Sequence, residues 1–189
     1  MNPRWSILLA ALLGASCSTN NKNSALVITK LVLGTAETLP GPPVTTVCKF
    51  DPAGTEFDFA QINPAANTGG TMGVVVQNNL SDPSRLNPEL RTNSATFHPR
   101  QAVADYEVIG GTTVKTQIIP VSGSVPPGGS TGAVLVPFFS PIPVTMLSGI
   151  IRVTFHIEGK LDDGSDVRTS ERDYIFVTCS GAGCSSACL

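Results

Sequence analysis

The sequence predicts an all-β sandwich, and three observations carry that expectation. Between residues 150 and 179, Ile151, Val153, Phe155 and Ile157 alternate with Arg152, Thr154, His156 and Glu158. A period of two marks a strand with one buried and one wet face. The 189 residues include 18 glycines and 15 prolines but only 14% charged residues, a balance that suits short strands and turns rather than a helical bundle. Apolar, β-branched runs also recur between turn clusters along most of the chain.

The first residues read as an address rather than as fold. Residues 1–4 carry one positive charge, and residues 5–13 are uncharged and mostly apolar. That segment is too short to span a bilayer and ends in small residues, as a signal peptide does. Leu12-Leu13-Gly14-Ala15-Ser16-Cys17 resembles the lipobox of bacterial lipoproteins. The resemblance implies a diacylglyceryl group on the Cys17 thiol, cleavage just before it, and acylation of the new amine. Ala15 and Ser16 match the family's small residues, whereas Gly14 stands where it usually has Leu. Ser18 in place of Asp implies, by the same resemblance, the outer membrane. The competing expectation is ordinary secretion, with Gly14-Ala15-Ser16 as a signal-peptidase site. Residues 1–16 are thus expected to be a signal peptide, with residues 17–24 the lipidated cysteine and a short polar tether.

Residues 25–33 (ALVITKLVL) read as the first strand, and the proline-rich residues 35–43 as loop. Residues 44–50 form a second strand carrying Cys48. Residues 56–62 follow, with Phe57, Phe59 and Ile62 as core candidates. Residues 72–78, with Val74-Val75-Val76, read as a central strand. Pro83, Pro88 and Pro99 break residues 79–100 into a surface excursion. Residues 103–109 and 113–119 flank Gly110-Gly111 as a hairpin. Residues 133–139 form a strand that Pro137 places at an edge or bulge. The alternating strand at 150 and the segment 174–177 should pair as a hairpin across Asp163-Gly164. About eight or nine strands with turns at short intervals fit an immunoglobulin-like antiparallel sandwich over residues 25–179. The final hairpin resembles the last hairpin of bacterial immunoglobulin-like domains. That likeness is architectural and carries no functional residues with it.

Five cysteines in an exported chain leave one over. With Cys17 lipidated, Cys48, Cys179, Cys184 and Cys188 can close two disulfides, and residues 180–189 become a stapled tail. Every connectivity joins Cys48 to the tail, closing a long loop worth about 4–5 kcal/mol in the chain-entropy model. A zinc site at Cys179, Cys184 and Cys188 is the rival reading, but it lacks tight CxxC pairs and a nearby histidine.

The remaining chemistry is sparse. Net charge is −2 and no Lys/Arg run exists, which excludes nucleic acid as an electrostatic partner. His156 lies on the polar face of its strand, and His98 has no acid nearby in sequence. No GxSxG elbow is present, so no catalytic activity and no cofactor are expected. Asp162, Asp163 and Asp166 crowd one turn and supply oxygen atoms of the kind calcium takes, although Asp-Gly also suits a hairpin turn. The segment 134–144 reads as core. If Phe138, Phe139 and Ile142 faced outward instead, they would form a patch for a partner protein. The expectation is a non-catalytic cell-envelope lipoprotein with a structural or protein-interaction role, bound to the membrane through Cys17 and contacting an envelope protein. The competing function is a secreted or anchored module binding a glycan or small ligand, calcium-assisted.

Overall fold

A computed structural model of the chain describes residues 25–43, 45–57, 59–62, 71–81, 95–111, 114–139 and 149–178. These form eleven strands and no helix: β1 (Leu26–Leu33), β2 (Thr35–Leu39), β3 (Thr45–Lys49), β4 (Phe59–Ile62), β5 (Thr71–Asn78), β6 (Phe97–Val108), β7 (Val114–Pro120), β8 (Ser130–Pro137), β9 (Ile150–Leu161), β10 (Asp166–Arg168) and β11 (Arg172–Thr178). One sheet runs β1-β5-β8 and the other β4-β11-β9-β6-β7, with β10 also on β9, while β2 and β3 pair separately. Sheets with the first, second and fifth main strands on one side and the last two beside the third on the other have the strand order of an immunoglobulin-like sandwich.

The alternation in β9 sets the core. Ile151, Val153, Phe155 and Ile157 are all buried, facing Leu26, Ile28, Leu31, Met72, Val74, Val76, Val134 and Val136 of the other sheet. Between the sheets sits an aromatic cluster. Phe138 meets Phe155 edge-on at 4.8 Å between ring centroids, and Phe139 meets Phe176 at 4.7 Å. Tyr106 packs edge-on against Phe139 at 5.4 Å and donates its hydroxyl hydrogen to the carbonyl of Phe138. Burial pushes the Tyr106 phenol's pKa up, so the hydroxyl stays a donor.

The expected terminal hairpin forms, and it is longer than the two apolar segments alone. β10 pairs with the far end of β9, Asp166 opposite Lys160, and β11 with its near end, Arg172 opposite Phe155. One extra residue between them makes a bulge at Thr169 and Ser170. There the buried Thr169 hydroxyl takes over a ladder position, accepting from the Ile157 amide at 2.9 Å. Ser170 turns toward the opposite sheet. Its amide donates to the Leu26 carbonyl at 2.9 Å, and its Oγ accepts from the Ile28 amide at 3.2 Å. The two sheets are hydrogen-bonded to each other along that edge.

Four expectations need correction. Residues 35–39 are strand, not loop, because the prolines of the segment begin only at Pro40 and leave Thr35–Leu39 free to pair with β3. Phe57 and Phe59 are not core: they are 41% and 52% exposed. Phe59 lies opposite Ile175 on the outer face, and Ala60 takes an inward place together with Ile62, which is buried as expected, so Phe59 falls on the other face of the strand from Ile62. The sandwich is not purely antiparallel, since β4 runs parallel to β11. Finally, residues 97–100 belong to β6 rather than to a surface excursion, and Phe97 is fully buried. Pro99 is tolerated because the β6–β9 register shifts between Pro99 and Gln101.

That bulge makes Gly159 indispensable. A Cβ there would lie 2.2 Å from the His98 carbonyl oxygen and 2.7 Å from a Phe97 ring carbon. Gly159→Ala is expected to destabilise by about 2 kcal/mol or more, the cost of forcing backbone apart in a filled core, read as a lowered denaturant midpoint. Thr169→Val, which strands the buried Ile157 amide, should cost about 1–3 kcal/mol, and Thr169→Ser should recover most of it.

Candidate functional site

The outer face of the larger sheet carries the polar chemistry, arranged in rows across the strands. Arg152 on β9 pairs with Glu107 on β6. In the next row, Thr116 donates to Asp105 at 2.6 Å and Thr154 to Asp173 at 2.7 Å. Such cross-strand pairs hold neighbouring strands in register.

At the β10 end the row opens into a groove of about 430 Å³, lined by Arg100, Gln101, Glu158, Gly159, Asp166, Val167 and Arg168. Its shape follows from the β6 bulge. Arg100 is the extra residue, between Pro99 opposite Gly159 and Gln101 opposite Glu158. A bulge of this kind sets two side chains of one strand against one of its partner. Arg168, opposite Glu158 on β10, closes the other side. Both arginines are exposed.

The groove's carboxylates are held by neighbours. Glu158 accepts from the Gln101 amide at 2.7 Å and contacts His156 Nε2 at 3.2 Å. These two hydrogen bonds, helped by the charges of His156 and Arg168, hold its carboxyl below the usual range. Asp166 is lowered first by the hydrogen bond from Lys160, a 2.8 Å ion pair, with Arg100 adding a weaker pull through its charge.

Of the acidic turn, Asp162 pairs with His98 at 2.6 Å. Asp163 accepts from both the amide and the hydroxyl of Ser165 at 2.8 and 2.5 Å, which lowers its pKa. Asp166 turns to Lys160. The turn, closed by Gly164 at φ +85°, spends each carboxylate on a different partner. Among the described residues no three acidic, histidine or cysteine groups are placed to hold a metal ion, so the calcium expectation for Asp162, Asp163 and Asp166 is corrected to a turn.

Phe138 and Phe139 are fully buried, so the core reading holds at these two residues and a patch built on them does not; Ile142 lies outside the described residues. Cys48 sits on β3 opposite Ala36. Cys17, Cys179, Cys184 and Cys188 lie outside the described residues. Of the groove residues, sequence reasoning singled out Asp166 alone, and as a calcium candidate. The one signal for them was Pro99 inside an apolar-polar alternation, which a bulge explains.

Glu158 is depressed in the folded state, so its stabilising contribution is complete above the ordinary carboxylate range of about 4 and is lost as pH falls through its lower folded value. Urea midpoints measured from neutral to acid pH should therefore decline at the acid end, and Glu158→Gln should decline less steeply. A search of known protein families and of characterised proteins finds no match to this chain.

Proposed function

We propose that this chain is an exported, lipid-anchored and non-catalytic β-sandwich with a structural or protein-interaction role at the bacterial cell envelope, at the outer membrane. The observation that carries this reading is Cys17 directly after Gly14-Ala15-Ser16, at the end of an uncharged apolar segment. Three acyl chains at about 0.8 kcal/mol per buried methylene would make such an anchor permanent. Two features support a non-catalytic role. The outer-face side chains described above pair with one another, and both histidines are engaged by carboxylates, His98 by Asp162 and His156 by Glu158. Two disulfides, Cys48 to one tail cysteine and the other two tail cysteines to each other, complete the proposal.

A second reading, a ligand-binding module, is favoured by one specific observation: the groove between Arg100 and Arg168. It stands whether the chain is anchored or secreted.

Intact mass of the purified protein tests the anchor. A chain starting at Cys17 and heavier by its acyl groups is expected in the membrane fraction, gaining about four hydrogens on reduction. Cys17→Ser should shift the protein out of that fraction. An unmodified wild-type chain in the soluble fraction overturns the anchored reading in favour of secretion. Crosslinking in intact cells tests the interaction role, which is lost if no envelope protein is captured above a Cys17→Ser control.

A further inference from the structure

Three of the four strands that end the two sheets are guarded in ways that keep an edge from pairing with another chain. The outer edge of β1 is hydrogen-bonded to Ser170. β7 sets Lys115 on its inward face, opposite Tyr106, and β8 ends in Pro137. β4 differs. It is short, but Phe59, Ala60, Gln61 and Ile62 include no charge and no proline, and among the described residues no strand lies on its far side.

Beside β4 the outer face turns from polar to apolar. Phe59 is 52% exposed and lies opposite the half-buried Ile175. Val177, two residues on, lies opposite Ile150, whose carbonyl accepts from the Ile109 amide at 2.8 Å. Ile150 and Ile109 are exposed as well. The five side chains make one uncharged apolar corner, of the kind that marks a contact surface.

The β2–β3 hairpin has a complementary need. It joins neither of the two main sheets, and Glu37, Thr38 and Leu39 are exposed in succession, so neither of its faces is covered. Such a hairpin is marginal in water without a third strand or a layer against it. Its end is uncharged, since residues 39–43 read Leu-Pro-Gly-Pro-Pro and all are exposed. Its base is fixed. A Cβ at Gly73 would come within 3.0 Å of a Phe50 ring carbon, so the ring lies against that backbone. Lys30 donates to the Gly54 carbonyl at 2.6 Å, and Glu56 bridges to Val32 and pairs with Arg172. Residues 50–56 thus hold the hairpin and β4 at the same edge of the sandwich.

We propose that a second copy of this chain supplies what each element lacks. Two copies exchange hairpins about a two-fold axis, each hairpin adding to the other copy's β4 edge and setting Leu39 on its Phe59 corner. Both surfaces are uncharged, so they lose water together and leave no charge buried without a partner. Reciprocal exchange closes the assembly at two copies. This rests on the protein-interaction reading and names the partner.

The test is sedimentation equilibrium of the full-length Cys17→Ser chain, which carries no lipid, at concentrations up to about a millimolar. A dimer that dissociates on dilution is expected. Leu39→Asp and Phe59→Asp should each weaken it at least about tenfold, because each brings a charge into the contact. Phe59→Ser should do the same if Phe59→Asp does not fold. Leu135→Asp, at a position on β8 that is 43% exposed, should leave the dimer unchanged. A mixed dimer of a Leu39 variant and a Phe59 variant keeps one intact hairpin–corner contact, so the mixture should associate more tightly than either variant alone. A monomer throughout the range overturns the proposal, while the interaction reading still stands or falls by crosslinking to envelope proteins. A dimer untouched by Leu39→Asp, or a mixture no tighter than its parts, overturns the exchange of hairpins.

Discussion

One strand fixes the register of the larger sheet. β9 is twelve residues long and pairs with β6 along one edge and with both β10 and β11 along the other. Its inward residues from Ile151 to Ile157 are all apolar and buried, and its outward residues from Arg152 to Lys160 are all polar or charged. A slip of one position would put Arg152, His156 and Glu158 against the aromatic cluster and Phe155 into water. That penalty, several buried side chains at about 1.5–3 kcal/mol each, makes a single register the only stable one. The polar rows of the outer face inherit their alignment from it.

The joint at Thr169 and Ser170 extends this order to the second sheet. A sandwich is ordinarily held by side-chain packing between its layers, but here the bulge also directs backbone hydrogen bonds from one layer onto β1 of the other. The serine occupies the edge of β1 that faces away from β5 and gives it a partner. An edge satisfied within the molecule is closed to strands from elsewhere.

Legibility in the sequence followed the strength of the local signal. The β9 alternation, the Gly110-Gly111 hairpin, the central strand at Val74-Val75-Val76 and the edge position of the Pro137 strand could all be read directly, because each rests on period or turn chemistry within a few residues. The phase of β4 could not. Phe57, Phe59 and Ile62 are all apolar, and only the parallel pairing of Phe59 with Ile175 decides which of them faces inward. Thr35–Leu39 was obscured by three prolines that lie just beyond it. The groove was illegible for a stronger reason: Arg100, Gln101, Glu158 and Arg168 come from three strands, and the β6 bulge that brings them together is a property of pairing. The calcium reading failed for a related reason. Three acids close in sequence point to separate partners, two of which are His98 on β6 and Lys160 on β9.

The position of the Ser170 joint has a geometric consequence. Leu26, where the sandwich begins, is hydrogen-bonded to Ser170, two residues beyond Arg168 of the groove. The chain therefore enters the fold at the end that carries the groove. In the anchored reading, residues 18–25 separate Cys17 from Leu26 and extend to about 30 Å at most. The groove would then sweep a layer of roughly that depth above the lipid headgroups. Within so thin a layer, molecules displayed on the same surface are present at effective concentrations of about a millimolar. In the ligand-binding reading, occupancy of the groove would then be governed by confinement, and a weak single site would be enough to stay filled.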